Sequence, residues 1–130
     1  MTTRDGTRCL TQSININATP EKVWDLITRI ATMTDWYATW DRTESTTTDT
    51  HLRAGTSFRL IRRQSGRDDV AQCHVTEVSE FTRLQWEQSQ PRKPTVSVTF
   101  ELLPHATDGT TELRQSRSWT TPSPQSDLCE

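Results

Sequence analysis

Apolar and polar positions alternate along the first ordered stretch of the chain. Leu10, Ile14 and Ile16 are separated by Ser13, Asn15 and Asn17, and a period of two predicts a half-buried strand over 10–17. The pattern then changes. Thr19 can cap a helix and Pro20 suits its first turn, whereas Lys22 stands where a capping-box Glu would serve better. Val23, Trp24, Ile27 and Ile30 recur at helical spacing, which predicts a short amphipathic helix over 20–30. Met33, Trp36, Tyr37 and Trp40 share a second helical face, predicting a helix over 32–39 with a kink near Ala31.

From Asp41 the period returns to two. Residues 42–50 are Thr-rich and polar, as an exposed edge strand would be. Phe58, Leu60 and Arg62 share one face of the next strand, and Gly66 marks the turn after it. Residues 70–78 and 83–89 read as two further strands. Pro91 to Pro94 breaks the pattern, and 95–103 alternates again with Val96, Val98, Phe100 and Leu102 on one face. The last strand covers 110–120, with Leu113, Gln115, Arg117 and Trp119 together. A strand, two short helices and about six antiparallel strands form an α+β layer structure with both helices on one side of the sheet. The 130 residues fit one domain over 1–130, with the ends 1–9 and 121–130 expected to be flexible.

Composition narrows the function. Thr occurs 24 times, which suits strands, and only 31% of residues are hydrophobic, which calls for an economical or partly polar interior. A net charge of −2 leaves no electrostatic footprint for nucleic acid. No apolar run is long enough to cross a membrane, and the N-terminus has no apolar segment of a secretory signal. Cys9, Cys73 and Cys129 have no metal-ligand spacing, so a cytoplasmic protein with reduced thiols is expected. His51, His74 and His105 share no ligand spacing either, and no metal is expected.

Several segments together carry a resemblance. Ile14-Asn15-Ile16-Asn17-Ala18-Thr19-Pro20-Glu21-Lys22-Val23-Trp24-Asp25-Leu26, followed by Met33-Thr34-Asp35-Trp36-Tyr37, resembles the opening of the START/Bet v 1-like (SRPBCC) superfamily, within it the polyketide cyclase/dehydrase and lipid-transport group. Gly55-Thr56-Ser57-Phe58-Arg59-Leu60, Val75-Thr76-Glu77-Val78 with Arg83-Leu84-Gln85-Trp86, and Asp108-Gly109-Thr110-Thr111-Glu112-Leu113 agree in order and spacing. The resemblance covers roughly 10–120 and implies a helix-grip fold: a curved antiparallel sheet of about seven strands, a hydrophobic cavity and no cofactor. Its members bind sterols, lipids, polyketides or plant hormones, and some cyclise or dehydrate polyketide chains. The resemblance also implies a long C-terminal helix, and since ten residues follow Thr120 and two are prolines, that helix is expected to be absent or truncated here. The expectation is an apolar sheet face covered by a homodimer contact or a partner protein.

Alternation assigns Phe58, Leu60, Arg62, Trp86, Gln88, Phe100, Gln115, Arg117 and Trp119, with their apolar neighbours, to the concave face. Arg62 and Arg117 are candidate catalytic groups, because a guanidinium stabilises a developing enolate. The plain alternative is that they reach water or pair with carboxylates. Tyr37, the one tyrosine, is a candidate proton donor. Trp36, Trp40, Phe58, Trp86, Phe100, Gln115 and Trp119 are candidate substrate-binding residues, against ordinary core packing. His74 could act as a base, but the apolar set Ala71, Cys73 and Val75 turns it outward. Asp35 and Asp41 read as helix-flanking charges and Cys73 as buried and inert. Two functions follow. One is a cofactor-independent polyketide cyclase/dehydratase-like enzyme acting on an oxygenated hydrophobic substrate. The other is a non-catalytic carrier, sensor or subunit completed by a partner chain.

Overall fold

The computed structural model describes residues 6–37, 40–105 and 108–121. Its elements are β1 (Gly6–Ile16), α1 (Pro20–Thr28), a single 3₁₀ turn (Ile30–Thr32), α2 (Met33–Trp36), β2 (Arg42–Ser45), β3 (Ser57–Gln64), β4 (Arg67–Ser79), β5 (Arg83–Ser89), β6 (Val96–Pro104) and β7 (Thr111–Thr121). The strands form one antiparallel sheet in the order β1-β7-β6-β5-β4-β3-β2. This is the curved seven-stranded α+β architecture of a helix-grip fold.

Local chemistry explains the element ends. Thr19 caps α1, its hydroxyl accepting from the Lys22 amide at 3.4 Å. The kink expected near Ala31 is the 3₁₀ turn, and α2 is shorter than its apolar spacing suggests. The expected end of that helix at 39 lies outside the described residues. The two-residue turn between β3 and β4 has Ser65 and Gly66 both at positive φ, the geometry a tight hairpin demands. β1 starts at Gly6, paired with Thr121, so its ladder begins earlier than the alternation indicated. β2 is correspondingly short. The Thr-rich segment after Ser45 instead runs to α1, where Ile30 donates to the Thr50 carbonyl at 3.0 Å and Leu52 to the Thr28 carbonyl at 2.8 Å. Asp25 reinforces that junction, accepting from Arg29 at 2.9 Å and bonding His51 at 2.7 Å.

The bend in the sheet has a visible cause. Val75 pairs with Trp86 and Glu77 with Gln85, so Thr76 is an extra residue in β4. Such a bulge bends a strand and resets its facing. Strict alternation after Val75 would send Glu77 into the core. The bulge sends Val78 inward and turns Glu77 outward to Arg83, at 3.1 Å, which also meets Glu101 at 3.2 Å.

The core lies between the concave face and the two helices. Trp86, Phe100, Leu84, Val98, Leu60 and Ile27 are each 0% exposed. α1 packs across β6 and β7. Among the described cysteines, Cys73 is free and buried, and Cys9 is disulfide-bonded, a departure from the expectation of reduced thiols throughout. Cys129 and the tail that follows β7 lie outside the described residues.

Two outcomes follow from this packing. Trp86→Ala should cost about 3–5 kcal/mol in urea unfolding, whereas Ile14→Thr at the open edge should change stability by less than about 0.5 kcal/mol. Asp25 is held below its ordinary value of 3.8, first by its hydrogen bond to His51 and then by that to Arg29. A lowered carboxylate contributes stability above its unfolded value and loses it as pH falls through the folded one. The stability gap between wild type and Asp25→Asn should therefore close on going from about pH 6 to about pH 2, as followed by thermal unfolding.

Candidate functional site

The strand register places the candidate side chains on one face. Cross-strand partners share a face of the sheet, and the concave face is built from rows of them. One row runs Val75, Trp86, Val98, Arg117, Leu10; the next runs Leu84, Phe100, Gln115, Gln12. A third joins Phe58, Cys73, Gln88, Val96 and Trp119. Exposure rises along each row. Trp86 and Val98 are 0% exposed, Arg117 is half-buried and Leu10 is 60% exposed. Among the described residues the face is thus closed over β4, β5 and β6 and opens toward β1 and the later half of β7.

The sealed part is filled by aromatic rings. Trp86 meets Phe58 edge-on at 5.3 Å and Tyr37 edge-on at 6.0 Å, and packs tilted against Phe100 at 5.3 Å. Trp36 stands edge-on to Phe100 at 5.3 Å and tilted against Tyr37 at 5.6 Å. These edge-to-face contacts suit the ring quadrupoles. Five of the ten candidates therefore come together in one cluster. The open part holds two grooves. One of about 260 Å³ is bordered by Ile14, Leu26, Trp36, Phe100, Leu113 and Gln115. The other, of about 290 Å³, is bordered by Leu10, Pro94, Val96, Arg117 and Trp119.

The polar groups on this face are unevenly satisfied. Gln88, 2% exposed, accepts from the Trp86 indole at 3.1 Å and from the Cys73 thiol at 3.8 Å. The Trp36 indole nitrogen, the Tyr37 hydroxyl and the Arg117 Nε are buried without a hydrogen-bond partner. All three can donate, and a buried donor without an acceptor is unusual. Burial pushes the Tyr37 phenol above its ordinary value of 10.0, partly opposed by the charge of Arg117. Tyr37 is therefore a protonated donor at neutral pH, and the Arg117 guanidinium acts on it electrostatically.

Arg62 and Trp40 lie elsewhere on the face. β3 is four strand spacings from β7. There Arg62 sits over the Trp40 ring at 5.1 Å and pairs with Asp69 at 3.3 Å, so its charge already has a carboxylate and an aromatic neighbour. His74 points outward, bonded to Ser57 at 3.1 Å. Asp35 is exposed, and Asp41 accepts from the Arg63 amide at 2.7 Å. Burial pushes the Cys73 thiol up to about 12, far from a reactive thiolate. Sequence reasoning left out three contributors. Gln12 and Leu10 extend the rows onto β1, a facing that the alternation of Leu10, Ile14 and Ile16 already carried. Leu26, 40% exposed, lies off the apolar stripe of α1 and borders a groove that no periodicity announces.

Comparison with known proteins agrees with this geometry. No curated protein matches the chain by sequence. Among solved structures, Ara h 8.0201 superposes with a TM-score of 0.72 at 15% identity, over 95% of this chain and 83% of its own. The ZhuI aromatase/cyclase from Streptomyces sp. R1128 gives 0.71 at 12% identity, over 90% and 70%. A protein from Nitrosospira multiformis gives 0.70 at 19% identity, over 89% and 81%. At these identities the likeness is one of fold. The sequence profile described as polyketide cyclase / dehydrase and lipid transport matches residues 7–125, nearly the whole chain, and the protein belongs to that family.

Proposed function

We propose that this protein is a polyketide cyclase/dehydratase-like enzyme of small-molecule biosynthesis, binding an oxygenated, largely apolar substrate on the open part of the concave face. The observation that carries this reading is the set of three buried donors without acceptors, on Trp36, Tyr37 and Arg117, beside an aromatic wall. Family membership supports the general kind of activity.

The chemistry asked of these residues is modest. A wall of Trp36, Phe100 and Trp119 would hold a flexible substrate folded, so that an acidic carbon flanked by two carbonyls, its proton passed to solvent, meets a further carbonyl and the entropic part of the barrier falls. Arg117 would stabilise the enolate oxygen as its charge develops. Tyr37 would donate a proton to a carbonyl or leaving oxygen. No step in this scheme calls for a cofactor.

The test is turnover of a poly-β-ketone thioester, followed by chromatography of ring-closed and dehydrated products. Tyr37→Phe and Arg117→Ala should each lower turnover by about a hundredfold. Arg62→Ala, which removes an already paired guanidinium, should cost less. Unchanged turnover in both of the first two variants would refute these roles. The phenol gives a direct check. With a single tyrosine, tyrosinate absorbance reads Tyr37 alone, and its midpoint should lie above 10.0 and rise further in Arg117→Gln, because the lost positive charge had favoured the phenolate.

A second reading rests on Leu10, Ile14 and Leu26, exposed by 60%, 59% and 40% beside the grooves. On this reading the chain is a carrier or subunit whose open face is covered by a second copy or a partner protein. Native mass spectrometry of gently purified protein separates the two: a ligand-bearing dimer or hetero-complex favours this reading, and a monomer at high concentration counts against it.

A further inference from the structure

Arg117 differs from four other half-buried arginines of the described chain. Arg29, Arg62, Arg83 and Arg114 each meet a carboxylate within 3.3 Å. Arg117 forms no ion pair among the described residues, and its Nε, like that of Arg62, is buried without an acceptor. Its neighbours in register are Leu10 on β1 and Val98 on β6, both apolar. On the same strand and face it is flanked by Gln115 and Trp119, which bring no negative charge. The carboxylate that does point along this face, Asp69, is already held by Arg62 on a distant strand.

A guanidinium in this setting has lost part of its hydration without gaining a counter-charge, an arrangement that costs stability unless something else supplies the charge. The Tyr37 hydroxyl, in a residue 6% exposed, is a second donor without an acceptor, and the Arg117 charge acts on it. A guanidinium on the border of a groove, with no carboxylate to meet it, is a receptor for oxygen. A neutral carbonyl would satisfy the hydrogen bonds but leave the charge uncompensated, whereas an ionised oxygen satisfies both and forms the stronger, charge-assisted bond.

Taking the open concave face as the ligand site, we infer that the site selects its ligand as an anion: a planar or aromatic body carrying one ionised oxygen, a carboxylate, phenolate or enolate, seated against Arg117. The body lies in the groove lined by Leu10, Val96 and Trp119, with the exposed Lys93 at its rim. Arg117 thereby discriminates between ligands of the same shape, and the aromatic wall supplies affinity without regard to charge.

Equilibrium dialysis with two probes of equal shape tests this: 2-naphthoate, an anion at neutral pH, and 2-naphthamide, its uncharged counterpart. Wild-type protein should bind the naphthoate about tenfold more tightly or better. Arg117→Gln should bring the ratio of the two affinities close to one, and Arg117→Lys, which keeps the charge, should retain most of the preference. Equal binding of both probes by wild-type protein overturns the anion inference and leaves the ligand site standing. A preference that survives in Arg117→Gln also overturns it. Binding of neither probe overturns the ligand site itself, and the inference with it. The wild-type ratio decides the matter even if a variant fails to fold.

Discussion

The packing of aromatic rings around Trp86 is the interaction on which the rest of this structure depends. Trp86 sits at the centre of the sheet, 0% exposed, and touches Phe58, Tyr37 and Phe100 on three different elements. A sheet of seven strands with one wet face needs a second layer over the other face. Here that layer is slight: nine residues of α1, one 3₁₀ turn and four residues of α2. Such short helices are not stable alone. They hold their place because Val23, Ile27, Met33 and Tyr37 insert among the rings of the sheet. Large side chains make up for a small layer, which is how a chain of low hydrophobic content closes a core.

The same economy leaves part of the face uncovered. Among the described residues, α1 packs across β6 and β7, and neither helix covers β1. The concave face therefore grades from dry to wet within single rows of paired residues, from Trp86 to Leu10 and from Phe100 to Gln12. Chemistry that needs both an apolar wall and polar donors belongs on that boundary, and it is there that Trp36 and Arg117 border the two grooves. The family resemblance suggested one cavity under a helix. What the described residues present is a filled interior with two open grooves beside it.

The two arginines that the sequence treated alike have different surroundings. Both occupy inward positions of alternating strands. Arg62 lies at the end of β3 where Asp69 on β4 faces it in register, so strand pairing neutralises it. Arg117 lies mid-strand, opposite Leu10 and Val98, and strand pairing leaves it alone. The difference comes from the cross-strand neighbours: Asp69 across the β3–β4 hairpin from Arg62, and Val98 and Leu10 on the two strands that flank Arg117. No spacing along the chain expresses it.

Much of this protein was legible from residue pattern. The alternation of Val96, Val98, Phe100 and Leu102 and of Leu113, Gln115, Arg117 and Trp119 assigned the inward faces of β6 and β7, because the side-chain period of a strand is fixed by backbone geometry. The outward facing of His74 followed from Ala71, Cys73 and Val75 in the same way. Thr19 and Pro20 marked the start of α1 through local backbone chemistry. Where contacts between distant segments decide, the pattern was silent. The bulge at Thr76, which turns Glu77 outward to Arg83, exists because β5 pairs on both sides of it. The early start of β1 depends on a full-length ladder with β7. The isolation of the Arg117 charge depends on which strands lie beside it. Periodicity and capping are properties of neighbouring residues and belong to the sequence; register, charge compensation and the boundary between dry and open face arise from pairing across the sheet, and only the tertiary structure decides them.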